Sequence, residues 1–251
     1  MKQYFNETNL LSLAKIHQKS YQEAQPFPHI VIDNFMDELL LNDVLESFPS
    51  PETFNFYKYE NPLEKKLAFD QVSKLPTPIQ ELLLNMNSSL FLTFLETLTG
   101  IEGLIPDPYF RGGGIHQITP GGKLDIHIDF NTHPKLNLDR RLNVLLYLNK
   151  DWDESYGGFF ELWSGEFKNN KHILHECKQK ILPIFNRLAI FSTTEKSYHG
   201  HPEKLACPQD RTRKSIATYF YTNGRPEEEK TSMHSTTFIA RPGDDDKLND
   251  L

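Results

Sequence analysis

Three stretches of this sequence carry side chains suited to holding a metal and an anion. The first is KLDIHIDF, residues 123–130, where His127 and Asp129 stand two apart. Successive strand residues point to opposite faces, so His127 and Asp129 share a face with Asp125, while Ile126, Ile128 and Phe130 take the other. One imidazole and one carboxylate on one face are two corners of a 2-His-1-carboxylate triad, which holds Fe(II) and leaves coordination positions open. In a chain with 10 histidines an H-x-D pair alone carries little weight.

The third ligand must come from elsewhere. STTEKSYHGHPEKL, residues 192–205, offers His199 and His201, again two apart, and both remain open at this point. His199 lies 72 residues beyond His127 (199 − 127 = 72), enough for intervening strands. The plainer reading of H-G-H-P is a solvated turn. The last stretch is RTRKSIATYFYT, residues 211–222, in which Arg213, Ser215 and Ala217 share one strand face and Lys214 and Ile216 the other. An inward guanidinium is costly unless an anion pairs with it. A dicarboxylate would supply that anion, matched by the guanidinium fork and by the Ser215 hydroxyl. Arg211 falls in the loop before the strand.

These residues need strands to position them, and the sequence after Pro108 supplies short β-like runs between turns: RGGGIHQIT, KLDIHIDF, RRLNVLLYLN, GGFFELWS, HILHECKQKILPIF, NRLAIFST and RKSIATYFYT. Strands at this spacing indicate a sandwich or barrel. The first hundred residues differ. Leu10, Leu11, Leu13, Ala14 and Ile16 form a helical stripe, and Ile30–Ile32 a short strand. Asp37 caps an expected helix over Glu38–Phe48, and further helices are expected over Pro78–Asn87 and over Leu90–Thr99, the last ending at Gly100. Ser50–Pro62 reads as a loop. The expected division is 1–105 as N-terminal support, 106–225 as catalytic core, and 226–251 as a polar extension whose end, GDDDKLND, is an acidic tail.

The 251 residues are 38% apolar and 24% charged, with a net charge of −7. There is no clustered basic excess of the kind nucleic acid requires. No apolar run approaches the length of a membrane span, and the N-terminus lacks the core of a signal peptide. Cys177 and Cys207 share no metal-type spacing and read as reduced thiols. A cytoplasmic location is the expectation.

Taken together, H-x-D, a distal His and R-x-S resemble the 2-oxoglutarate/Fe(II)-dependent oxygenase superfamily, specifically its prolyl 4-hydroxylase-like branch, over residues 106–223. The segment YLNKDWDESYGGFFELW, Tyr147–Trp163, is similar to the stretch that follows H-x-D in hypoxia-sensing prolyl hydroxylases. PFPHIVIDNFMD is similar to the opening segment of that branch. The resemblance implies a mainly β fold with flanking helices, a double-stranded β-helix (jelly-roll, cupin-like) core on N-terminal helical support. It implies Fe(II) held by His127, Asp129 and His199, and 2-oxoglutarate anchored by Arg213 with Ser215 and Tyr147. O2 is the other co-substrate, ascorbate a supporting reductant, and succinate and CO2 the co-products. His199 fits the family position, and His201 stands where relatives carry Val. The 14 residues from His199 to Arg213 (213 − 199 = 14) leave PEKLACPQDRT as an added loop. Because Asp129 is kept, the resemblance favours hydroxylation over halogenation.

The substrate implied is a peptidyl proline, with a small metabolite or sugar-containing molecule as the alternative. The segments Gly112–Lys123 and Phe130–Arg141 are expected to rim the mouth. There His116, Gln117, His133, Arg140 and Arg141 read as solvated loop residues before they read as substrate contacts. Two other classes stand beside the oxygenase. A non-enzymatic cupin-type binding module would have no use for an inward Arg213. A zinc hydrolase would need a general base, and no residue stands out for that role.

Overall fold

The computed structural model describes residues 3–244, so most of the acidic tail expected in GDDDKLND lies outside the described residues. In chain order the elements are α1 (Glu7–Gln22), β1 (His29–Ile32), α2 (Glu38–Glu46), β2 (Tyr57–Asn61), β3 (Glu64–Phe69), α3 (Thr77–Met86) and α4 (Ser89–Thr99). There follow β4 (Ile105–Pro106), β5 (Gly114–Ile118), β6 (Lys123–Ile128), β7 (Asp139–Tyr147), β8 (Phe160–Lys168) and β9 (Lys171–Ile181). The chain continues through β10 (Arg187–Ser192), β11 (Tyr198–His201), β12 (Arg213–Thr222) and β13 (Thr237–Phe238).

Local chemistry sets the helix ends. The side chain of Asn6 accepts from Asn9 N at 3.0 Å and that of Asp37 from Leu40 N at 3.0 Å, each satisfying an otherwise unpaired first-turn donor. At the other end of α4, Gly100 turns the chain left-handed at φ 76°, a conformation glycine adopts without penalty.

Every strand pairing is antiparallel, and the main path runs β1-β10-β7-β12-β5-β3-β6-β11-β8-β9, curling into a nearly closed barrel. This is the double-stranded β-helix expected from the sequence. One face of the sheet carries the helices. Leu142, Val144 and Leu146 of β7, Leu188 and Ile190 of β10, and Ile216 and Phe220 of β12 pack with Leu82, Leu83, Phe91, Phe94 and Leu98. Alternation then commits Asn143, Leu145 and Tyr147 of β7 to the barrel interior. Phe94 is fully buried and meets Phe91 at 5.4 Å and Phe35 at 5.9 Å between ring centroids. Phe94→Ala is expected to destabilise the protein by about 3–5 kcal/mol in a urea melt, the usual cost of such a cavity.

The loop expected over Ser50–Pro62 is in part a strand. β2 pairs with β3 as a hairpin, turned where the Asn61 side chain accepts from Leu63 N at 2.9 Å and Glu64 N at 3.0 Å. β2 is exposed along its length, so it lacks the alternation that signals a half-buried strand. The polar extension also contributes structure: β13 lies antiparallel to β6, with Phe238 opposite His127. Cys177 and Cys207 are both free. Among the described residues no helix is long and apolar enough to cross a membrane.

Candidate metal and co-substrate site

β6 and β11 run side by side with His199 opposite His127. Their rings lie 4.4 Å apart. The Nδ1 of His127 hydrogen-bonds the Asp125 carbonyl at 2.9 Å, and that of His199 the Ser197 carbonyl at 2.7 Å. A carbonyl only accepts, so each Nδ1 carries the proton and each Nε2 presents a lone pair. Those lone pairs face Asp129: His127 Nε2 is 3.8 Å from Oδ1 and His199 Nε2 is 3.4 Å from Oδ2. One donor atom from each of His127, Asp129 and His199 falls within 4.8 Å of the others. Two neutral imidazoles and one carboxylate at this spacing suit a divalent transition metal.

The charge states agree with ligation. Burial, then the neighbouring His199, pulls His127 down to about 3, so its imidazole is neutral. Burial alone would raise the Asp129 carboxyl, but Arg140, His199 and His127 outweigh it and hold the group well below the usual carboxylate range. Phe160 and Phe191 pack on His199 at 5.7 and 4.6 Å, and Phe238 packs on His127 at 5.5 Å, which excludes water from the back of both rings.

Asp129 is itself held. Asn143 Nδ2 donates to its Oδ2 at 2.7 Å, and Arg140 Nη2 pairs with the same oxygen at 3.1 Å. Arg140 Nε donates to Asn143 Oδ1 at 2.9 Å, closing a ring of three side chains. The guanidinium lies over Tyr219 at 3.6 Å and Phe130 at 4.5 Å. With Oδ2 so engaged, Oδ1 is the free donor. Arg140 is therefore neither solvated nor in a loop, contrary to the sequence expectation. The reason is a bulge: Phe220 pairs with Leu142 and Tyr221 with Arg140, leaving Arg141 as an extra residue. That extra residue shifts the strand's phase, so Arg140 and Asn143, three apart, meet on one side.

The other expected rim residues are also corrected. His133 is buried against Asp107 at 3.3 Å. Gln117 is buried and donates to Thr212 Oγ1 at 2.8 Å. Arg141 is buried between Thr222 and Glu229, at 3.3 and 3.4 Å. His116 is half-buried on β5, with its Nε2 on the Gly112 carbonyl at 3.0 Å.

Arg213 is buried at the start of β12. Its Nε donates to the Gly158 carbonyl at 2.8 Å and its Nη2 to the Tyr147 hydroxyl at 3.5 Å, both neutral partners. Gly158 admits this approach because a Cβ there would come within 3.0 Å of Arg213 Cδ. Ser215 is buried beside it, opposite Tyr147 on β7 and His116 on β5. The two buried arginines of the site differ in one respect. Burial works against the charge of both, but for Arg140 the Asp129 carboxylate more than offsets it, whereas for Arg213 only Tyr147 offsets burial and the guanidinium stays below its ordinary value. A buried guanidinium with neutral partners fits a ligand carboxylate.

Residues 113–221 match the model of the 2OG-Fe(II) oxygenase superfamily. Over that stretch the chain is similar to a 2OG-Fe(II) oxygenase domain. The family's metal and co-substrate are those the two halves of the site suit. The chain is 24% identical over 221 residues to prolyl 3,4-dihydroxylase OGFOD1 of Ostreococcus tauri, an alignment that covers 82% of this chain and 40% of that protein. The chain thus spans well under half the length of that curated relative. Its fold matches a prolyl hydroxylase of Trichoplax adhaerens solved with a hypoxia inducible factor peptide fragment. That match has a TM-score of 0.54 and 18% identity, over 85% of this chain and 91% of the other. It also matches HygX of Streptomyces hygroscopicus, solved with nickel and 2-oxoglutarate, at a TM-score of 0.55 and 12% identity, over 90% of this chain and 96% of the other.

Sequence reasoning named Arg140 only as a rim residue and missed its hold on Asp129, and it missed Asn143, Gly158 and the β2–β3 hairpin. The hairpin places Lys66 near enough to lower the affinity of His127 and His116 for a proton. The Y-L-N-K-D-W…G-G resemblance pointed at the Gly158 region without identifying the carbonyl that bonds Arg213.

Proposed function

We propose that this protein is a 2-oxoglutarate- and O2-dependent Fe(II) dioxygenase that hydroxylates a prolyl residue of a peptide or protein. The observation that carries the reading is that one barrel holds both the His127–Asp129–His199 cluster and a buried guanidinium, Arg213, whose hydrogen-bond partners are neutral. When bound, iron and 2-oxoglutarate supply the oxidising chemistry, yielding succinate, CO2 and a hydroxyl on the substrate. The chain's own work is to hold and enclose. His127 and His199 present Nε2, kept in the right tautomer by the Asp125 and Ser197 carbonyls. Asp129 would offer Oδ1 to the metal while Arg140 and Asn143 hold Oδ2. Arg213, Tyr147 and Ser215 receive the distal carboxylate. Phe160, Phe191 and Phe238 keep water off the ligand rings.

The prolyl assignment draws on the curated relative's name and on the peptide held by the Trichoplax enzyme. It draws also on the exposed tyrosines of the hairpin that borders β5 and β6, Tyr57, stacked on Phe69, and Tyr59, under Lys66, which give a peptide an aromatic surface to meet. Ascorbate enters this reading as a supporting reductant, and the two free thiols favour a reducing compartment such as the cytoplasm.

Anaerobic titration tests the reading. Fe(II) followed by 2-oxoglutarate is expected to produce a weak visible charge-transfer band, and admission of O2 with a prolyl peptide is expected to give succinate and a peptide heavier by one oxygen. No band would end the oxygenase reading. A band and succinate formation with no oxygen incorporated into any prolyl peptide would end the prolyl assignment alone.

A further inference from the structure

All four residues of β11 are buried, and His201, two residues on from His199 in the same strand, takes the same interior face although the register with β6 shifts between them. Gly200 between them lets β11 press against β6, since a Cβ there would lie 2.8 Å from the carbonyl oxygens of Leu124 and Asp125. The two imidazoles are nevertheless bonded differently. His199 has its Nδ1 on a carbonyl and its Nε2 toward Asp129. His201 is 3% exposed, and neither of its ring nitrogens has a hydrogen-bond partner in the protein. Buried polar side-chain atoms are nearly always paired, so an imidazole unpaired at both nitrogens requires an explanation.

Its surroundings supply one. Of the charged groups that act on His201, Arg213 acts most strongly, followed by Lys66 and His127. β11 links the two halves of the site: His199 faces Asp129, and Gly200 pairs with Glu161 of β8, three residues beyond Gly158, whose carbonyl holds Arg213. His201 is not a fourth ligand, because the only metal-holding cluster among the described residues is His127, Asp129 and His199.

We propose that His201 binds the co-substrate directly, its ring N–H donating to the distal carboxylate of 2-oxoglutarate beside Arg213. This rests on the oxygenase reading above. It assigns to the co-substrate pocket a donor at the position where the resembled branch carries Val, and it makes the pocket select for a distal carboxylate through an imidazole as well as a guanidinium.

The test compares two 2-oxo acids on the Fe(II)-loaded protein without O2. One is 2-oxoglutarate; the other is 2-oxopentanoate, which keeps the chelating end and lacks the distal carboxylate. In His201→Val the dissociation constant for 2-oxoglutarate is expected to rise about tenfold to hundredfold, the range for losing a hydrogen bond to a charged group. That for 2-oxopentanoate is expected to stay within about twofold, because the lost donor does not reach the chelating end. His201→Gln, which keeps an N–H donor, is expected to recover part of the preference. His201→Leu serves if the Val chain does not fold. Equal weakening of both acids would show a purely structural role and overturn the proposal, as would parental binding of both. A parent protein that binds neither acid would instead remove the oxygenase reading, and this proposal with it.

Discussion

Asp129→Asn is expected to fold like the parent and to lose its iron. The amide keeps an oxygen that can accept from Arg140 and Asn143, so the ring of side chains around residue 129 survives. It removes the anionic donor that faces the two Nε2 atoms. Metal affinity should fall by more than the roughly 10–100-fold that loss of an outer partner typically causes. The measurement is anaerobic Fe(II) or Co(II) titration next to a thermal melt. Asp129→Ala is a poorer probe, because it strands the buried Arg140 charge, and breaking a buried pair from one side costs about 3–5 kcal/mol. The double variant Asp129→Ala with Arg140→Met should regain most of that stability, since an apolar replacement of a whole pair is close to neutral, while still failing to hold metal. An Asp129→Asn protein that binds iron as the parent does would remove Asp129 from the ligand set.

Arg213→Ala is expected to bind iron normally and 2-oxoglutarate poorly. Removing one partner of a buried charge pair costs about 2–5 kcal/mol, roughly 30- to 5000-fold in the dissociation constant. Arg213→Lys should fall between, because it keeps the charge and loses the planar fork that reaches both the Gly158 carbonyl and a carboxylate. The metal-free variant should melt close to the parent, since burial already works against the Arg213 charge while its partners are neutral. If the visible band of Arg213→Ala saturates at the parental co-substrate concentration, the anchor lies elsewhere.

The sequence was most readable where side chains alternate without interruption. His127 on β6 with Asp129 just past its end, and Arg213 and Ser215 on β12, fall on interior faces as a period of two requires, and His199 and His201 of β11 do so although the β6 register shifts opposite them. Helix caps at Asp37 and Gly100 were equally plain, because each acts within a few residues. Arg140 was hidden by the extra residue at Arg141, which breaks the period that would have placed it. The β2–β3 hairpin was hidden because both faces of β2 meet solvent, so no apolar rhythm marks it. The aromatic rings around His127 and His199 come from β8, β10 and β13, and no local pattern relates strands that meet only after folding.

Pairing of β13 with β6 bears on how the barrel is completed. On one edge, β6 meets β3 at Lys123 and Leu124 and β13 at His127 and Ile128, in tandem. A growing chain exposes His127 from the ribosome 111 residues before Phe238 follows (238 − 127 = 111). Until then the half of β6 that bears a metal-facing imidazole has an open backbone edge, the kind that recruits foreign strands. The segment that follows β12 therefore does two jobs at once. It shields the nascent barrel from aggregation, and it sets the earliest moment at which iron can be captured in a finished site.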